Sequence, residues 1–251
     1  MEIIIGFLIA LAITLTGSGA GTITAPIMML FLGISPEVAV GTTLIFSLIV
    51  KIPVGISYTL KRQVDKNLLV LMIIGGIPGI FIGSYLLKSL THNTELKSIV
   101  LGIVGIIILF SATLNLIFML RKGNEVKHKS KLRNLIPIFT FFIGLEVGFS
   151  SAGAGVLGTL LLMYTTNLVP RQIIGTDILF GLILSAVGGS IFLAMGNVNF
   201  DLLVKLLAGA ALGIPLGILG ASKIPAKPLK LGLLLWILFI GTQLVYHSLQ
   251  S

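Results

Sequence analysis

Cysteine is absent from the 251 residues, which removes disulfides, thiolate metal ligands and thiol nucleophiles together. Charge is scarce: Asp, Glu, Lys and Arg make up 10% of the chain, against about 25% in a soluble domain. No extended polar region exists either, the longest polar stretch being the fourteen residues from Arg121 to Asn134. His92, His128 and His247 fall in loops or near the chain end, so neither a metal site nor a cofactor is expected. Nucleotide-binding motifs are also missing, which excludes a nucleotide-driven pump.

What remains is apolar sequence, with 56% hydrophobic residues and a mean hydropathy of +1.13. The apolar residues come in runs of about 20, enough to cross the roughly 30 Å hydrocarbon layer as helices. A net charge of +9 would suggest nucleic acid in a soluble protein. Here the basic residues lie between apolar runs, without a basic face or aromatic platform, so they read as topology determinants and nucleic acid is not expected as a partner. The opening Met1-Glu2 lacks a basic segment, so the first apolar run is expected to stay in the mature chain. The expectation is a multi-pass protein of the cytoplasmic membrane.

The sequence repeats itself without a gap at an offset of 134 residues. Gly19, Ala20 and Gly21 align with Gly153, Ala154 and Gly155, and Pro36 with Pro170. Gly41-Thr42 aligns with Gly175-Thr176, Phe46 with Phe180 and Gly55 with Gly189. Gly75, Gly79 and Gly83 meet Gly209, Gly213 and Gly217. Shared leucines would mean little in so apolar a chain, but shared Gly, Pro and Thr at one fixed offset indicate duplication. Residues 1–120 form the first repeat, 121–134 a basic cytoplasmic linker and 135–251 the second repeat.

Each repeat reads as one interrupted segment followed by three full helices. The first has 3–33, broken near 16–21, then 36–60, 67–88 and 96–120. The second has 135–167, broken near 148–155, then 170–195, 202–222 and 229–249. The glycine runs at a spacing of four put three glycines on one helix face and predict close helix packing. A helix over 3–16 is only about 21 Å long, too short to span. The interrupted segment is therefore either one broken span, giving parallel repeats, or a re-entrant hairpin, giving inverted repeats.

Basic residues favour inversion. With the 121–133 loop in the cytoplasm, inversion places 13 basic residues there, including Lys61, Arg62, Lys66, Arg171, Lys223, Lys227 and Lys230. Lys88, Lys97 and Lys205 are left outside. Parallel repeats would split the same residues 10 to 6. The fold class expected is thus an all-α polytopic membrane protein of two inverted repeats, with both termini outside. The Gly-rich hairpin tips would meet near the midplane, where helix N-termini form natural anion seats.

Gly17-Ser18-Gly19-Ala20-Gly21 with Pro26, then Ala39-Val40-Gly41-Thr42-Thr43 and Val64-Asp65, resemble the first-half motifs of the sulfite exporter TauE/SafE family. Ser150-Ser151-Ala152-Gly153-Ala154-Gly155, Val169-Pro170 and Gly175-Thr176-Asp177 are similar to its second half. The resemblance covers nearly the whole chain and implies a membrane carrier exporting sulfite or a small organosulfur anion. Two departures are mild: Ala20 stands for a frequent glycine and Thr43 for a frequent serine.

The residues themselves leave alternatives open. Gly19, Gly21, Gly153 and Gly155 suit either a packing bend or an anion seat of backbone N–H groups. Ser150 and Ser151 stand beside the second cluster. The hydroxyls of Thr42, Thr43 and Thr176 either donate to a sulfonate or bond back to the preceding turn. Asp177 lies about 10 Å into a span, where an acid is costly and functional by default; it reads as a proton relay or cation ligand, or as an interhelical hydrogen bond. Glu146, near the second tip, reads the same way. Lys51 either attracts the anion, pairs with Asp177 or Glu146, or snorkels to the surface. The expected partners are a small anion, a coupling proton or sodium ion, and the bilayer. Rival readings are a channel-like anion pore, a membrane scaffold, or an intramembrane enzyme with Ser18 or Ser151 as nucleophile, which lacks a histidine within any span to serve as base.

Overall fold

The computed structural model describes residues 2–16, 21–92, 96–120, 130–152, 155, 157–221 and 226–250. Gly19 and Gly153 of the expected site, and the linker over 121–129, lie outside the described residues. Among the described residues the α-helices are α1 (Glu2–Thr16), α2 (Gly21–Phe31), α3 (Pro36–Leu60), α4 (Lys66–Thr91), α5 (Lys97–Leu120), α6 (Ile136–Ser150), α7 (Leu157–Thr165), α8 (Pro170–Ala194), α9 (Phe200–Ala221) and α10 (Ala226–Gln250). A 3-10 turn, Ser130–Leu135, leads into α6, and no strand occurs among the described residues. α3, α4, α5, α8 and α9 are each long and apolar enough to cross a membrane.

Local chemistry sets the helix ends, and the two repeats set them alike. Pro36 and Pro170 open α3 and α8 at the first helical position, where a missing N–H costs nothing. Asp65 caps α4 by accepting from the Leu68 N–H at 3.0 Å, and Asn199 caps α9 by accepting from the Leu202 N–H at 3.0 Å. α3 and α8 both stop in a left-handed turn. In α8 that turn is at Gly196, with φ of 73°; in α3 the equivalent residue is Arg62, with φ of 52°. A left-handed conformation is costly for a residue with a Cβ, so Arg62 holds a position better suited to glycine.

The helices pair mainly across the repeats, in four extensive contacts: α4 with α6, α1 with α9, α5 with α10 and α3 with α8. The glycine stripes make the first two. A Cβ at Gly75 would overlap the Pro137 carbonyl, and one at Gly79 the Phe141 carbonyl. The second repeat mirrors this, with Gly209 against the Ile3 carbonyl and Gly213 against that of Phe7. The close packing expected of the stripes is therefore what they do. The salt bridge of Lys205 with Glu2, at 2.9 Å, pins the start of α1 to α9, and Asp201, one turn back on α9, holds the same amine at 2.5 Å.

Helix directions follow from the same contacts. Gly41 meets Phe192, Gly189 meets Ile45 and Gly55 meets Leu179 and Leu182, so α3 and α8 run antiparallel. Gly102 meets Ser248, and Gly241 meets Leu109, so α5 and α10 are antiparallel too. Both pairs consist of repeat-equivalent helices. α4 runs parallel to α6 and, through Gly76 on Phe180 and Gly188 on Ile80, parallel to α8. Gly158 of α7 lies against Asp177 across a four-residue connection, so α7 is antiparallel to α8 and hence to α6. The α6–α7 segment therefore turns back on itself.

Candidate functional site

Asp177 sits on the second turn of α8, 2% exposed, in the core of the α7–α8 hairpin. Its Oδ2 accepts a 2.7 Å hydrogen bond from the Thr159 hydroxyl, and Thr159 Oγ1 also lies 3.3 Å from the Gly155 carbonyl. Oδ1 is buried and has no hydrogen-bond partner among the described residues. Gly158 makes room for it, since a Cβ there would overlap Oδ1. Asp177 is therefore held on one side and unsatisfied on the other, which a structural hydrogen bond alone does not require.

Lys51, half-buried on α3, faces the same seam from the other repeat. It is within electrostatic reach of Asp177, yet no carboxylate among the described residues lies within 4.0 Å of its amine. Between the two helices the Ser185 hydroxyl donates to that of Ser47 at 3.4 Å. Glu146 is half-buried on α6, and its Oε1 is likewise buried, with no partner among the described residues. Its carbonyl accepts from the Ser150 hydroxyl at 3.0 Å.

The two interrupted segments meet. Ser151 ends α6 in the left-handed region, with φ of 58°, and its hydroxyl donates to the Gly21 carbonyl at 3.2 Å. A Cβ at Gly21 would overlap the Ser151 carbonyl, so glycine at this position is required by close approach of the two repeats. Gly155 has φ of 118°, which only glycine adopts readily.

Thr42, Thr43 and Thr176 are fully buried. The Thr176 hydroxyl oxygen accepts from the Asp65 N–H at 2.9 Å, and that of Thr42 from the Asn199 N–H at 3.0 Å. Each threonine thus holds the helix cap of the opposite repeat. This partner is neither a ligand nor the threonine's own preceding turn. Thr43 donates to the Met28 sulfur at 3.8 Å.

Thr159 has no signal in its own neighbourhood, and it emerges only when the repeats are compared. Its counterpart is Ala25, while that of Asp177 is Thr43, that of Lys51 is Ser185 and that of Glu146 is Ala12. The scaffold is duplicated and its charged residues are not.

A family model, sulfite exporter TauE/SafE, matches residues 2–244. The chain belongs to that family. Relatives of this TauE/SafE protein include "Probable membrane transporter protein YjnA" of Bacillus subtilis (strain 168), 28% identical over 254 residues, covering 97% of this chain and 98% of the relative. "Probable membrane transporter protein YunE" of the same organism is 26% identical over 273 residues, covering 99% of this chain and 98% of the relative. No solved structure matches the chain significantly. The family is one of membrane transporters, and the long apolar helices make this TauE/SafE protein a multi-pass membrane protein.

Proposed function

We propose that this transporter exports a small oxyanion, sulfite or a small organosulfonate, across the cytoplasmic membrane, driven by an ion gradient. The observation that carries the reading is Asp177: buried where the repeats meet, held through one oxygen by Thr159, without a partner among the described residues at the other, and within electrostatic reach of Lys51. A site that alternately holds a coupling cation and an anion needs one acid and one base of this kind within a low-dielectric seam. Antiparallel packing of repeat-equivalent helices supports inverted repeats, with six spans and two re-entrant hairpins.

In this reading Asp177 takes and releases the coupling proton or sodium ion, and Lys51 offsets the charge of the anion. Glu146 is a second coupling group. Gly21 and Gly155 offer backbone N–H groups where the tips meet, beside Ser150 and Ser151; the same role is proposed for Gly19 and Gly153, which lie outside the described residues, and Thr43 is proposed as a further donor. Thr42 and Thr176 serve the site by latching the caps.

The Thr159 hydroxyl has a single proton and two acceptors. While Asp177 is ionised, that proton goes to Oδ2. When Asp177 carries its own proton it donates to Thr159 Oγ1, and Thr159 turns its proton to the Gly155 carbonyl. Loading of Asp177 is thereby communicated to the tip of the second hairpin.

The test is a proteoliposome uptake screen with sulfite, sulfate, thiosulfate and sulfoacetate, with and without a proton or sodium gradient. Saturable uptake of at least one anion, accelerated by one gradient, is expected. Gradient-independent uptake of every anion would defeat ion coupling, and uptake that never saturates would indicate a pore.

A further inference from the structure

A cavity of about 470 Å³ opens at one end of the α3–α8 pair, lined by Ser57, Tyr58, Lys61, Gln63 and Arg171. Its size falls in the ordinary range for small-molecule sites, about 300–1,000 Å³. Lys61 and Gln63 come from the turn after α3, and Arg171 from the first turn of α8, so the two repeats build it jointly. Two of the lining residues also hold the helix junction, where Gly175 packs on Tyr58 and the Gln63 carbonyl. One residue further along α8, Thr176 bonds the N–H of Asp65, and the next residue is Asp177.

The duplication supplies an internal control. At the opposite end of the same pair, the residues equivalent to Ser57, Tyr58, Lys61 and Gln63 are Ile191, Phe192, Met195 and Asn197, and the equivalent of Arg171 is Glu37. Arg62 and Lys66, flanking the cavity, correspond to Gly196 and Phe200. At these matched positions one end carries four cations and the other a single acid; the cation beside that far end, Lys88, comes from α4 and lines a different cavity with Ile191 and Met195. Arg62 even retains the left-handed turn that Gly196 occupies without strain. Topology signals need positive charge only somewhere in the loop; they do not need a lysine and an arginine from different repeats converging on one cavity with hydroxyl and amide donors. Neither Lys61 nor Arg171 pairs with a carboxylate among the described residues.

We infer that the Lys61–Arg171 cavity is a loading seat, where the transported oxyanion docks before it moves along α8 to the seam at Asp177 and Lys51. The inference rests on the anion reading proposed above. Arg171 presents a planar fork to two oxygens, and Lys61 a mobile point charge.

The test uses the purified full-length protein and an acetylating reagent, with modification of Lys61 followed by peptide mass spectrometry. Sulfate or sulfoacetate should slow acetylation of Lys61 several-fold, leaving Lys88 at the far end unaffected, while equal chloride should protect neither. In proteoliposomes, Lys61→Gln with Arg171→Gln should raise KM about tenfold with little change in maximal rate, and Lys61→Arg with Arg171→Lys should largely restore it. Unprotected Lys61 with unchanged KM overturns the seat while leaving the cargo reading intact. Protection of Lys61 without flux of any tested anion defeats the cargo reading and leaves the seat. A lipid phosphate presents similar oxygens, so the labelling is repeated in phosphatidylcholine vesicles with and without phosphatidylglycerol. Protection by phosphatidylglycerol alone, with free anions ineffective, would assign the cavity to a headgroup and overturn the loading role.

Discussion

The Asp65 N–H reaches the Thr176 hydroxyl at 2.9 Å, so the residue that caps α4 in the first repeat is anchored by the second. Thr42 and Asn199 repeat the bond with the roles of the halves exchanged. Both threonines are fully buried. Removing a hydroxyl strands a backbone donor, at a cost of about 1–3 kcal/mol each. Thr42→Val with Thr176→Val should therefore lower the detergent-solubilised melting temperature more than either change alone, while Thr→Ser at each position should stay near wild type. An unaltered melting curve for the double variant would mean the latches contribute nothing.

Asp177→Asn keeps the shape of the side chain and removes its titration. Gradient-driven accumulation should disappear while anion exchange down its own gradient survives. Full accumulation by the variant would remove Asp177 from the coupling role.

Thr159→Val should produce a similar loss of coupling with Asp177 still in place, because among the described residues the contact from the acid to the Gly155 carbonyl runs through that hydroxyl. Thr159→Ser should retain it. Equal coupling in the Val and Ser variants would show that the hydroxyl carries no signal to the hairpin.

Lys51→Met preserves most of the stem and deletes the charge. The expected effect is a rise in KM for the anion of about tenfold with the fold intact, read from initial uptake rates. An unchanged KM would return Lys51 to a snorkelling lysine.

Gly79→Leu should prevent assembly, since even a Cβ there would overlap the Phe141 carbonyl and approach the Leu145 nitrogen at 2.8 Å. Gly232→Leu, where no atom lies within 4 Å of an added Cβ, is the control. Size-exclusion profiles should separate them, and a monodisperse Gly79→Leu protein would mean α4 and α6 can move apart at little cost.

The helices were legible because their punctuation is strong. Pro36 and Pro170 fixed two starts to the residue, and the glycine stripes announced the contacts they make. The Gly-rich breaks marked the ends of α1 and α6. The site was less legible. Asp177, Glu146 and Lys51 stand out because charge within an apolar run is conspicuous at any position. Thr42 and Thr176 do not disclose their partners, since these lie 157 and 111 residues away in sequence and depend on the antiparallel packing of the repeats. Thr159 is one threonine among many until α7 folds against α8 and sets it on the acid.

The cross-repeat pairing bears on how such a molecule changes shape. α1 is stitched to α9 and α6 to α4 by backbone-to-backbone contact at glycines, which leaves no slack for sliding. The units encoded consecutively along the gene are thus not the units that swing: pulling residues 1–120 away from 135–251 would tear open both stripes. Motion that exposes one membrane face and then the other has to divide the protein along a different plane, carrying α1 with α9 and α4 with α6 as composite levers drawn from both duplicates.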